Sequence, residues 1–82
     1  MSGAKIEKLA RMANQIGDFF APMAEPAGTQ GVATHIRRFW TPKMIRELKS
    51  AAEQGHLTLN ATASRGLAAI PNEALPEVTA IT

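Results

Sequence analysis

Two histidines, seven acids and no cysteine are the side chains with which this chain could do covalent or metal chemistry. Neither His35 nor His56 has a ligand at i+3 or i+4, the spacing that puts two donors on one helical face, so no zinc-type ligand set is encoded. His35 has no serine or acid close to it in sequence, and no Gly-rich phosphate loop is present. A nucleophile–base pair therefore has no candidate. Asp18 and Glu25 stand alone and read as solvated surface groups. Without cysteine there is no disulfide framework, thiol nucleophile or iron–sulfur ligand, which fits a reducing compartment. Asn60-Ala61-Thr62 matches a glycosylation sequon, but with no secretory signal in front of it Asn60 is most simply a helix cap.

What the sequence does concentrate is recognition chemistry. From His35 to Met44 it places the only tryptophan, Phe39 beside it, and the pair Arg37-Arg38 at one corner. Trp and Arg together are what binding hot spots are built from. The alternative is that Phe39 and Trp40 fill the core and the arginines form a solvated face. From His35 to Lys49 there are five basic residues and one acid, a local charge of +4 in a chain whose net charge is only +2. Asn14-Gln15 puts two amides in mid-helix beside an apolar stripe, where they either fill surface or offer hydrogen bonds to another chain.

The elements that must position these residues read as helices. Ile6, Leu9, Met12, Ala13, Ile16, Phe19 and Phe20 recur at three- and four-residue intervals, an amphipathic helix over about 5–21 with an apolar arc wide enough for more than one neighbour. A second helix is expected over 29–40, with Thr29 as N-cap and Val32, Ile36, Phe39 and Trp40 on one side. Thr41-Pro42 starts a third, over 42–54, at a sharp corner, and Gln54-Gly55 stops it. A fourth is expected over 60–70, weakened by Gly66. No segment alternates with period two. The fold class is all-α, a small three- to four-helix unit over 1–70, with an irregular C-terminal tail, extended or disordered, over 71–82.

The 82 residues allow a single small domain. Of its 37 hydrophobic residues, 15 are alanine, leaving 22 large apolar side chains. So thin a core in so short a chain leads us to expect a partner. No uninterrupted apolar run follows Lys5, Lys8 and Arg11, so neither a signal peptide nor a membrane span is expected, and the cytoplasm is the expected location.

The run Lys8-Leu9-Ala10-Arg11-Met12-Ala13-Asn14-Gln15-Ile16, the pair Phe19-Phe20, and the run from Gly31 through His35-Ile36-Arg37-Arg38-Phe39-Trp40-Thr41-Pro42-Lys43-Met44 resemble the delta subunit of cytoplasmic NAD-dependent formate dehydrogenase. Met-Ala-Asn-Gln-Ile on the first helix and His-x-x-x-Phe-Trp-x-Pro-x-Met across the corner carry the resemblance. Thr41 and Lys43 depart from it, standing where the family usually has an acid and an arginine. The resemblance implies a non-catalytic accessory subunit with no cofactor of its own. Its host would be a molybdenum- or tungsten-dependent complex that converts formate and NAD to carbon dioxide and NADH. By the same resemblance a large alpha subunit holds bis-molybdopterin guanine dinucleotide and iron–sulfur clusters, and beta and gamma subunits handle FMN, NAD and further clusters.

Docking on the alpha subunit would use Met12, Asn14, Gln15, Phe19 and Phe20 on the first helix. Across the corner it would use His35, Phe39, Trp40, Pro42 and Met44, with Arg37, Arg38 and Lys43 steering toward acidic surface. Neither nucleic acid nor membrane is expected as a partner. The competing reading is a small helix-turn-helix nucleic-acid binder that reads with the third helix and grips phosphates with Arg37 and Arg38. The abrupt second corner and the acids Glu47 and Glu53 count against it.

Overall fold

The structure is a computed structural model that describes residues 2–71, with side chains from residue 5 onward. Four helices follow one another: α1 (Ser2–Phe20), α2 (Ala27–Phe39), α3 (Pro42–Glu53) and α4 (Ala61–Ala68). No strand occurs among the described residues, and the fold is a small all-α unit. The tail expected over 71–82 lies, from residue 72 on, outside the described residues.

The α1 stripe delivers Leu9, Ala10 and Ala13 to the interior, where they meet Val32 and Ile36 of α2, Ile45 and Leu48 of α3, and Ala63, Leu67 and Ile70 at the C-terminal end. The core is as lean as the composition demands, and two glycines make it close. A methyl group on Gly66 would run into Val32, and one on Gly17 would meet Asn60 and Ala63. Their bare backbones let α4 lie tight against α2 and α1. Gly66, expected to weaken α4, is what allows the helix to seat, because its cost in helix propensity is outweighed by packing that any side chain would block.

The second corner forms as its residues dictate. Trp40 and Thr41 are extended, the Thr41 hydroxyl accepts from Met44 N at 3.2 Å, and Pro42 opens α3 where no N–H is missed. At the other end of α3, Gly55 takes φ +77°, and His56 N and Gly55 N donate to the Ala51 and Ala52 carbonyls, both at 3.1 Å. This is the paired closure that a left-handed residue permits. Lys49 then reaches across to α4, its Nζ donating to the carbonyls of Ile70 at 2.6 Å and Leu67 at 3.3 Å.

The start of α2 differs from expectation. The helix begins at Ala27, and Thr29 does not cap it; Thr29 N and Oγ1 both donate to Glu25 Oε1, at 3.1 and 2.7 Å. A carboxylate just before the helix thus takes the role assigned to the hydroxyl, a charge-assisted choice at the positive end of the dipole. Arg65 of α4 grips the same group, Nη2 to Oε2 at 2.8 Å, so Glu25 joins the second and fourth helices. The two Thr29 donors foremost, and Arg65 after them, hold the Glu25 carboxyl below its ordinary pKa.

A group depressed on folding contributes stability that is fully present above its unfolded pKa and is lost as the pH falls through its folded one. Glu25→Gln is therefore expected to lower the melting temperature at neutral pH and to converge with the parent in acid. Melting curves between about pH 7 and pH 3 read this, and a gap of constant size across that range would refute it.

Candidate functional site

The apolar arc of α1 is wider than its neighbours cover. Its inward residues enter the core, which leaves Met12, Ile16, Phe19 and Phe20 along one flank. From α2 come His35 and Phe39, one turn apart, and from the corner and α3 come Trp40 and Met44. With Gln15, these residues line an open cleft of about 580 Å³. Its floor is Trp40, 7% exposed and part of the core cluster. Its walls are Phe19 and Phe39, 70% and 71% exposed. Each phenyl left in water forgoes roughly 1.5–3 kcal/mol of burial, a cost that a lean domain can recover only when something covers them.

The walls are held in place by ring contacts. Phe19 and Phe20 meet edge to face at 4.9 Å between centroids, and the His35 and Phe39 rings lie 4.7 Å apart. Beyond Phe20, His35 and Phe39 the surface runs on into a second groove bordered by Gly31, Thr34 and Arg38. The phenyl ring of Phe20 rests on Gly31, where a side chain would displace it.

Charge around the cleft is one-sided. No acid lines the cleft or its extension, and three acids elsewhere are engaged within the chain: Asp18 accepts from Asn60 Nδ2 at 3.1 Å, Glu25 holds Thr29 and Arg65, and Glu47 pairs with Lys5 at 3.2 Å. Arg37, Arg38 and Lys43 are exposed and make no hydrogen bond or ion pair with the described residues.

Eight of the thirteen residues expected to meet a partner therefore line the cleft, and Arg38 borders its extension. Arg37, Pro42 and Lys43 lie outside the lining. Asn14 faces elsewhere: its Nδ2 donates to Thr58 O at 3.1 Å and its Oδ1 accepts from Asn60 N at 2.8 Å, which clamps the α3–α4 connection onto α1. Trp40 sits in the core and reaches the cleft only at its floor. Ile16 was missed, although its place four residues after Met12 on the same stripe was signal enough.

No group of three or more His, Asp or Glu that could hold a metal exists among the described residues, and the sequence has no cysteine. These donors do not fit an iron–sulfur cluster. Around the cleft are apolar surface and cations, a set suited to gripping another molecule.

Over residues 8–69 the chain matches the family model of the NADH-dependent formate dehydrogenase delta subunit, FdsD. The chain belongs to this family. The FdsD match runs from the first half of α1 to the end of α4, so it takes in every buried core residue but Ile70 and every residue that lines the cleft. No curated protein and no solved structure matches the chain.

Proposed function

We propose that this FdsD-family chain is a non-catalytic accessory subunit that docks through its apolar cleft on the large catalytic subunit of a cytoplasmic NAD-dependent formate dehydrogenase, and supports the assembly or stability of that complex. The observation that carries the reading is the pair of phenyl rings, Phe19 and Phe39, standing more than two-thirds exposed over a core too lean to waste them. The family supplies the complex; the cleft supplies the contact surface. Molybdopterin, clusters, FMN and the chemistry of formate oxidation belong in this reading to the alpha, beta and gamma subunits, and this chain contributes buried area. Nucleic-acid reading by α3 is the weaker reading, since Lys49 is spent on the carbonyls of Leu67 and Ile70, and Glu47 and Glu53 stand on the same helix.

Co-expression of the tagged chain with the alpha, beta and gamma subunits tests this. The alpha subunit is expected to co-purify, and Phe39→Ser is expected to weaken retention at least tenfold, as loss of a central aromatic does. Because that ring is mostly in water, the variant should melt within a few degrees of the parent. Undiminished co-purification of Phe39→Ser would sink the reading.

A further inference from the structure

Resting on that docking reading, we infer that the occupant of the cleft is an amphipathic helix of another subunit, with its apolar face along α1 and carboxylates on its flank that meet Arg38 and Lys43. Three observations lead there. The first is shape. The lining residues of α1 run from Met12 to Phe20, a span of nine residues and about 12 Å along the helix axis, which matches two turns of a visiting helix with anchors at i, i+3 or i+4, and i+7. The trough lies between helices, and no strand edge exists among the described residues, so an added strand has nothing to pair with.

The second is charge. Arg38 borders the extension of the trough and Lys43 immediately precedes the cleft residue Met44; both are exposed, and neither has a partner within the described chain. No acid lines the trough or its extension, and Asp18, Glu25 and Glu47 are engaged with Asn60, Arg65 and Lys5. No described residue supplies the counter-charge, and complementary charge at the edge of an apolar contact fixes register and speeds encounter. The third is what the same cations disfavour. Two copies of this chain joined cleft to cleft would press two sets of unpaired cations together, a juxtaposition that interfaces avoid.

The test uses the full chain within the co-expressed complex. A photo-reactive phenylalanine analogue placed at Gln15 lies in the cleft, and the peptide it captures on irradiation is identified by mass spectrometry. The expected product is a cross-link to a helical stretch of another subunit that has apolar residues at that spacing and at least two acids beside them. A cross-link to residues 72–82 of this same chain, which include Glu73 and Glu77, to a second copy, or to an acid-free segment would overturn the inference, and so would no cross-link.

A second measurement separates this inference from the reading beneath it. The double variant Arg38→Glu, Lys43→Glu is expected to lose at least tenfold in association, and Arg38→Lys to keep most of it. If Phe39→Ser loosens the complex and the charge reversal does not, docking stands and the acidic helix falls. If neither changes retention, both fall.

Discussion

Trp40→Ala is expected to unfold a large share of the protein, where the neighbouring Phe39→Ser is expected to leave the fold almost untouched. The two rings are adjacent in sequence and both line the cleft, but Trp40 is 7% exposed and packed into the core cluster, while Phe39 is 71% exposed. Truncating a buried tryptophan costs about 3–5 kcal/mol, the lost transfer energy plus the cavity left behind. Against the roughly 4–12 kcal/mol that a chain of this length holds in reserve, that is between a quarter of the stability and all of it. Each kilocalorie shifts the melting point of such a domain by about 4–8 °C, so a fall of more than about 10 °C is expected, with Trp40→Phe falling between the two. Urea and thermal unfolding followed by circular dichroism give the answer. A Trp40→Ala protein that melts within a few degrees of the parent yet no longer binds would make Trp40 a projecting anchor after all.

The second large effect is expected at Asn60. Its Oδ1 caps α4 by accepting from Ala63 N at 2.8 Å, and its Nδ2 donates to the Asn14 carbonyl at 3.0 Å and to Asp18 Oδ1 at 3.1 Å. Asn60→Ala removes all three bonds. The cap is worth about 1 kcal/mol, and loss of the part-buried bond to the Asn14 carbonyl adds roughly 0.5–1.5 kcal/mol, while the exposed Asp18 carboxylate turns to water. Asn60→Ser should restore the cap alone and regain about 1 kcal/mol of the loss. Urea midpoints rank the three proteins, and equal stability of the Ala and Ser variants would show that the cap carries nothing.

That side chain also marks the limit of what could be read without coordinates. Asn60 as an N-cap was legible because capping is local, a hydrogen bond to Ala63 three residues on. So were the corner at Thr41-Pro42, the stop at Gly55 and the wide arc of α1, each written in a few consecutive residues. The second half of Asn60's work was not legible. Asn14 and Asn60 are 46 residues apart, and nothing in either neighbourhood says that one amide will clamp the other's backbone. Asn14 could equally have faced another chain. Glu25 was likewise read as solvated surface, because its capping of α2 and its bond to Arg65 depend on how a Pro-rich loop folds back.

Most of the cleft was legible as residue types, and its depth was not. Periodicity places Phe39 and Trp40 side by side on one arc; only the packing of α1 against α2 and α3 sends one ring inward and leaves the other in water. Gly66 shows the same limit from the other side. Its helix-weakening effect is a local property and was visible, whereas the Val32 side chain that needs the space comes from 34 residues earlier.

The seat that α4 finds against Gly17 and Val32 also sets a timetable for the newborn chain. α4 is the last of the four helices to be translated, and until it arrives α1 and α2 have no lid over the core that they share with Ala63, Leu67 and Ile70. Until it docks, the three earlier helices carry both their future core and their future cleft uncovered. A partner met before α4 has docked would find two apolar faces where the finished protein shows one, so faithful pairing favours a chain that has already closed its core.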